Sequence, residues 1–321
     1  MKNFFTTFFF LLAIFTFSCR NKSIEEPQCY LPDIVPSSPY QEPVWHPNGN
    51  ILGFNHKPLK GIGISGQPPC TQEVYLYNSD SSGFWLINKD GTNKRRVITF
   101  QLNTPAWSPE GKWIAFSNGG TIYKMKFDGN NFDTANIISL TNSGRNYFPS
   151  WSPKGDTIYF DSNNNTPNGS YFIWKMAADG GGKERIVDVI INEGAAREPF
   201  CSENNQVLHY RYRKYSEIFS MDTDGKNLIQ ITANNNGNHE RRTPRFFINV
   251  IYFENNGIWR INYDGTGLQQ ISTRSGGYAI SRDGTIAFVN FDYSKVDKVL
   301  GTIWLMEPDG SNKRQLTFNN Y

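Results

Sequence analysis

Gly61-Ile62-Gly63-Ile64-Ser65-Gly66 has the G-x-G-x-x-G spacing that lets a backbone approach a pyrophosphate. That chemistry needs a helix to begin at the turn. Pro68-Pro69 follows here, so no helix starts and the run reads as a flexible loop. Asp161-Ser162-Asn163-Asn164-Asn165 opens like a calcium loop, but its sixth position is Thr166 and its twelfth is Phe172. A calcium loop needs Gly and Glu there, so residues 161–169 read as a solvated loop. The histidines, His46, His56, His209 and His239, are scattered and too few to converge on one metal. No G-x-S-x-G nucleophile turn occurs. Neither a metal nor a cofactor is expected. Three carboxylates, Glu42, Glu198 and Glu240, remain as candidates for acid–base work on a polysaccharide.

The elements that would position these residues are set by a repeat. One phrase returns six times: Phe84-Trp85-Leu86-Ile87, Ile122-Tyr123-Lys124-Met125, Ile173-Trp174-Lys175-Met176, Ile218-Phe219-Ser220-Met221, Ile258-Trp259-Arg260-Ile261 and Ile303-Trp304-Leu305-Met306. Each is followed after two residues by Asp-Gly, at Asp90, Asp128, Asp179, Asp224, Asp264 and Asp309. Side chains alternate along a strand, so the aromatic and the fourth residue share one face. Asp-Gly then supplies a tight turn into a further short strand. The Asp-Gly spacing, 38 to 51 residues, suits a four-stranded propeller blade.

A second phrase opens each unit. It is clear in Pro43-Val44-Trp45-His46-Pro47-Asn48-Gly49, Pro105-Ala106-Trp107-Ser108-Pro109-Glu110-Gly111 and Pro149-Ser150-Trp151-Ser152-Pro153-Lys154-Gly155. It is degraded at Pro199, at Pro244 and at Ala279-Ile280-Ser281-Arg282-Asp283-Gly284. An apolar strand follows each, such as Ile114-Ala115-Phe116 or Ile158-Tyr159-Phe160. The expectation is an all-β, six-bladed β-propeller of four-stranded antiparallel blades over residues 43–321. Whether residues 30–42 add a strand at the ring closure stays open.

Pro-x-Trp-Ser-Pro-x-Gly, Ile-Ala-Phe and Ile-Tyr-x-Met-x-x-Asp-Gly together resemble the WD40-like repeat of TolB-type propellers over about residues 43–317. The resemblance implies the fold and says little about function. It departs from TolB in that only a short segment, with no room for an α/β domain, precedes the first repeat. The same repeat is similar to that of prolyl-oligopeptidase propellers, but no hydrolase domain follows Tyr321. Some propeller lyases acting on oligogalacturonate use converging histidines, which this chain does not supply.

The N-terminus reads as an address. Lys2 precedes an apolar run, Phe4 to Phe17, too short for an ordinary membrane span. Ser18-Cys19 then resembles a bacterial lipoprotein signal, implying a signal peptide over 1–18, lipidation at Cys19 and a tether over 19–42. The alternative is a plain secretory signal with an incidental cysteine. Either reading puts the chain outside the cytoplasm, where disulfides form. Cys19 would carry lipid, and Cys201 aligns with Trp107 and Trp151 as a buried residue. Cys29 and Cys70 are left to pair.

The residues before each strand-opening proline are expected at the channel mouth: Gln41-Glu42, Asn103-Thr104, Tyr147-Phe148, Arg197-Glu198 and Arg242-Thr243. Arg145 and the run His239-Glu240-Arg241-Arg242 add to that rim. Arg and Tyr are enriched among residues that dominate binding. The favoured function is therefore an outer-membrane-anchored scaffold that binds an envelope protein or glycan. The alternatives are a polysaccharide-cleaving enzyme using rim carboxylates, or a structural subunit of an envelope complex. A net charge of +3 gives no case for nucleic acid.

Overall fold

A computed structural model describes residues 38–319 apart from Pro69, 187–193, 213–215, 234–240 and 292–300. Six four-stranded antiparallel sheets follow one another along the chain. Their innermost strands are Tyr40–Trp45, Asn103–Trp107, Asn146–Trp151, Ala195–Cys201, Arg242–Phe247 and Ser275–Ile280. Each blade is one continuous stretch of sequence, with one exception. Blade 1 runs β1 (Tyr40–Trp45), β2 (Ile51–His56), β3 (Leu59–Gln67), β4 (Cys70–Tyr77), β5 (Gly83–Asn88) and β6 (Arg95–Ile98). Its sheet is ordered β1-β2-β5-β6, and β3 and β4 form a separate hairpin. The Gly61–Gly66 run is therefore strand and not flexible loop. Its glycines and isoleucines alternate, which is the period of a strand.

The core lies between blades, and the repeated phrase explains how. Ile122 packs with Trp151 and Ile158 of blade 3, whereas Met125 packs with Phe84 and Leu86 of blade 1. The same split holds for Ile173 and Met176 and for Ile303 and Met306. The first residue of each phrase thus goes to the next blade and the fourth to the previous one: Ile and Met in blades 2, 3, 4 and 6, Phe84 and Ile87 in blade 1, and Ile258 and Ile261 in blade 5. Six such clusters fill the six seams.

The Asp-Gly turns behave as the sequence requires. In all six, Asp Oδ1 accepts the amide two residues on, as Asp90 does from Thr92 at 2.9 Å. The glycine that follows each aspartate has positive φ. Blade 5 is different at its first turn. Ile248 and Asn249 both have positive φ, at 42° and 58°, and Ile248 is 72% exposed.

The ring closes without strand exchange among the described residues. Blade 6 is completed by its own outer strand, Arg314–Gln315. Side chains join it to blade 1. Tyr40 Oη donates to the Phe318 carbonyl at 2.9 Å, and Arg314 Nη2 donates to the Lys89 carbonyl at 2.7 Å. Lys89 Nζ reaches Asp283 and Thr285, each at 2.7 Å. Beneath these contacts Trp45, Leu52 and Phe54 pack on Ala287, Ile303 and Leu305.

Candidate functional site at the channel mouth

Every innermost strand carries a bulge at the same place, at the residue before the proline in blades 1 to 5 and at Gly277 in blade 6, which lacks the proline. The residue at the bulge has positive φ in each blade: Glu42, Thr104, Phe148, Glu198, Thr243 and, in blade 6, Gly277. Left-handed backbone costs a side-chain-bearing residue about 1–2 kcal/mol. Five of the six bulges accept that cost, and only the blade lacking the proline uses glycine.

The compensation is a set of hydrogen bonds that cross the seams. The Thr104 amide donates to the Glu42 carboxylate, and the Phe148 amide donates to Thr104 Oγ1 at 3.2 Å. The Glu198 amide donates to Asp161 Oδ2 at 3.2 Å, and the Thr243 amide to Glu198 Oε2 at 2.7 Å. The Gly277 amide donates to the Glu254 carboxylate. From blade 2 to blade 6, each bulge amide is held by a side chain of the blade before it. The innermost strands of a propeller line its central channel, so this chain of bonds runs along the channel wall from blade 1 to blade 6.

Burial governs the acids of this wall. It pushes the carboxyls of Glu42 and Glu254 up to about 7, opposed by their backbone donors and by the Arg245 guanidinium. Glu198 is shifted upward by the same burial. Asp161 is fully buried, which raises its carboxyl to about 7 against the pull of Arg197, whose Nε lies 3.1 Å from Oδ2. Carboxyls with such values are suited to proton transfer. Here, however, each is already engaged with a backbone amide.

The sequence-derived site residues divide into three sets. Gln41, Asn103, Arg145 and Arg242 are exposed at the mouth. Tyr147 and Arg197 are half-buried and belong to one cluster: the Arg197 guanidinium lies 4.2 Å from the centre of the Tyr171 ring, and the tilted Tyr171 and Tyr147 rings lie 6.0 Å apart. Phe148 flanks the same guanidinium at 5.8 Å. Glu42 and Glu198 are turned into the wall as described. Arg241 departs from the expectation of a rim contact. It is buried, ion-paired with the buried Glu217, and lies over the Phe253 ring. His239, Glu240, Cys19 and Cys29 lie outside the described residues. Cys70 is disulfide-bonded, and Cys201 is a buried free thiol in its innermost strand, as its alignment with Trp107 implies.

Sequence reasoning missed Asp161, Tyr171, Arg245 and Glu254. Asp161 lies in the second strand of blade 3, Thr157–Ser162, rather than in the solvated loop expected over residues 161–169, and is sealed under Arg197. Its histidine readings also sharpen. His56 and His209 are buried, which depresses their pKa values to about 4 and about 3, so both are neutral. Among the described residues no group of three or more His, Cys, Asp or Glu could hold a metal ion.

No protein-family profile matches the chain. An uncharacterized protein of Agrobacterium fabrum is 27% identical over 227 residues, covering 59% of this chain and 74% of its own. Among solved structures, a protein of Agrobacterium tumefaciens titled "putative TolB" superposes with a TM-score of 0.57 at 18% identity, over 72% of this chain and 84% of that one. TolB from Acinetobacter baumannii gives 0.58 at 16% identity, over 73% of this chain and 59% of that one. An oligogalacturonate lyase from Vibrio parahaemolyticus gives 0.53 at 10% identity, over 87% and 77%. Identities this low speak to fold alone. Six consecutive four-stranded blades, the repeat that builds them and these superpositions make the chain a TolB-like six-bladed β-propeller.

Proposed function

We propose that the chain is an extracytoplasmic binding scaffold that engages an envelope protein or glycan at the channel mouth. The observation that carries this reading is the half-exposed cluster of Arg197, Tyr171 and Tyr147 beside exposed Arg145. Preorganised aromatic faces and guanidinium groups suit stacking on sugar rings or apolar side chains and bidentate contact with carboxylates. The sequence reading adds that a lipid on Cys19 and the segment after it tether the ring to the outer membrane.

The test avoids Arg197, because its removal would strand the buried Asp161 without its counter-charge. Arg145→Ala combined with Tyr147→Ala leaves the seam bonds in place. A photo-crosslinking residue at Asn103, used in whole cells, identifies what the mouth contacts. The double variant is expected to lose that crosslink with little change in melting temperature. An undiminished crosslink in the double variant would show that the cluster is not the contact surface.

A second reading rests on the carboxyls of Glu42 and Glu254, which burial holds near neutrality. In that reading they exchange protons with a polysaccharide drawn into the channel. Glu254→Gln would then abolish cleavage of acidic oligosaccharides by the purified chain. An absence of cleavage by the unsubstituted chain across a panel of such substrates disposes of it.

A further inference from the structure

Where blade 6 meets blade 1, a cleft of about 600 Å³ opens between the two turns of blade 1. Asn48 and Asn50 come from the turn after β1, Asn88 ends β5, and Asp90 opens the turn that follows. Arg314 reaches in from the outer strand of blade 6. The bulges of the channel mouth lie near the start of the innermost strands, whereas this cleft lies past the end of β1. It therefore opens on the face of the ring away from the mouth.

The repeat explains why the cleft is here. Arg314 pairs with Leu305, and Arg95 pairs with Leu86, which holds the same place in the repeated phrase. At the seam between blades 1 and 2, Arg95 is already engaged: its Nη2 donates to Asn130 Oδ1 at 3.0 Å and to the Asn130 carbonyl at 3.2 Å. Asn130 stands two residues after Asp128, the place that Thr92 holds after Asp90. The Thr92 hydroxyl instead donates to Asp90 Oδ1 at 2.7 Å and accepts from Asn88 Nδ2 at 2.8 Å. Arg314 bonds only the Lys89 carbonyl, among the described residues, and is left facing the cleft. Blade 1 also carries three short amides, Asn48, Asn50 and Asn88, where blade 2 has Glu110, Lys112 and Lys126.

The groups that remain are fixed by their own turns. Asn48 Oδ1 accepts the Asn50 and Ile51 amides at 3.0 and 3.3 Å, so its Nδ2 is left as a donor. Asn88 Nδ2 is taken by Thr92, so its Oδ1 is left as an acceptor. Asp90 Oδ1 is taken by the Thr92 amide and hydroxyl, so Oδ2 is left as a second acceptor. Charge is balanced, because Arg314 is matched by Asp90 and the Lys89 ammonium by Asp283. An anion would meet the Asp90 carboxylate, and a cation would meet the Arg314 guanidinium. A hydroxyl both donates and accepts without charge. Neighbouring hydroxyls of a sugar ring therefore match this set, and half-buried Ile51 offers an apolar patch to the ring C–H groups.

We propose that this cleft binds a neutral saccharide through Asn48, Asn50, Asn88, Asp90 and Arg314, at a site separate from the channel mouth.

Calorimetric titration of the full chain with maltohexaose, cellohexaose, xylohexaose and mannohexaose tests this, with hexagalacturonate as the anionic control. At least one neutral hexamer is expected to bind, and to bind more tightly than hexagalacturonate. Asn50 is exposed and its side chain makes no hydrogen bond among the described residues, so Asn50→Ala leaves the turn intact. That variant is expected to bind about fivefold more weakly. Thr92→Asn installs the residue that fills the seam between blades 1 and 2, and is expected to weaken binding at least about tenfold. Both variants are expected to melt as the unsubstituted chain does. Arg145→Ala with Tyr147→Ala, at the mouth, is expected to leave this affinity unchanged, which keeps the two sites distinguishable. The proposal is overturned if none of the neutral hexamers binds, if hexagalacturonate binds more tightly, or if both cleft variants bind as well as the unsubstituted chain.

Discussion

The Glu198 carboxylate accepts the Thr243 amide at 2.7 Å, so a side chain of blade 4 satisfies a left-handed backbone residue of blade 5. Removing the acceptor leaves that amide unpaired at a seam, which costs about 1–3 kcal/mol. Glu198→Ala is therefore expected to lower the melting temperature by about 2–8 °C. Glu198→Gln keeps an acceptor oxygen and is expected to lower it far less. Equal melting of the two variants would mean that the bond contributes nothing to the seam.

The pH dependence of stability follows from Glu42 and Glu254. Their carboxyls lie near 7 in the folded chain, above the ordinary value of 4.5. Between those values the folded state binds more protons than the unfolded state. Their contribution to stability is therefore greatest below about pH 4.5 and declines as pH rises through 7. Melting is expected at a higher temperature at pH 5.5 than at pH 8, and Glu254→Gln is expected to narrow the difference. A difference that Glu254→Gln leaves intact would assign the pH effect to other groups.

Ile248 bears a strain that its neighbours do not share. It is β-branched, exposed and left-handed in a two-residue hairpin between Phe247 and Val250. Such turns favour Asn-Gly. Ile248→Asn with Asn249→Gly is expected to stabilise the chain by about 1 kcal/mol and raise melting by about 2–4 °C. A lower melting temperature would show that Ile248 makes a contact worth more than its strain.

The lipoprotein reading of Ser18-Cys19 is checked in cells. A palmitate analogue is expected to label the protein, and Cys19→Ala is expected to lose both label and membrane retention. Labelling that survives the substitution would place the lipid elsewhere.

Strand order and blade number were legible because each blade repeats the same alternation and the same Asp-Gly turn. Cys201 could be assigned a buried place because it occupies the slot of Trp107 and Trp151. The wall of the channel was less legible. The repeat marks where a strand runs, but Asp161 and Glu254 act across a seam on a residue of another blade. No periodicity within a blade carries that relationship. Arg241 sits beside exposed Arg242, and only the position of Glu217 reveals that it is turned inward. Left-handed backbone at Glu42, Thr104, Phe148, Glu198 and Thr243 ran against the ordinary preference of a residue before proline.

Each blade comes from a single stretch of sequence, interrupted only in blade 1 by the β3–β4 hairpin, and among the described residues the first and last blades meet through side chains without sharing a sheet. Duplicating one stretch of coding sequence of this kind copies one whole structural unit together with both of its packing faces. A ring of this type can change its circumference by a single recombination, and no strand is left without its sheet.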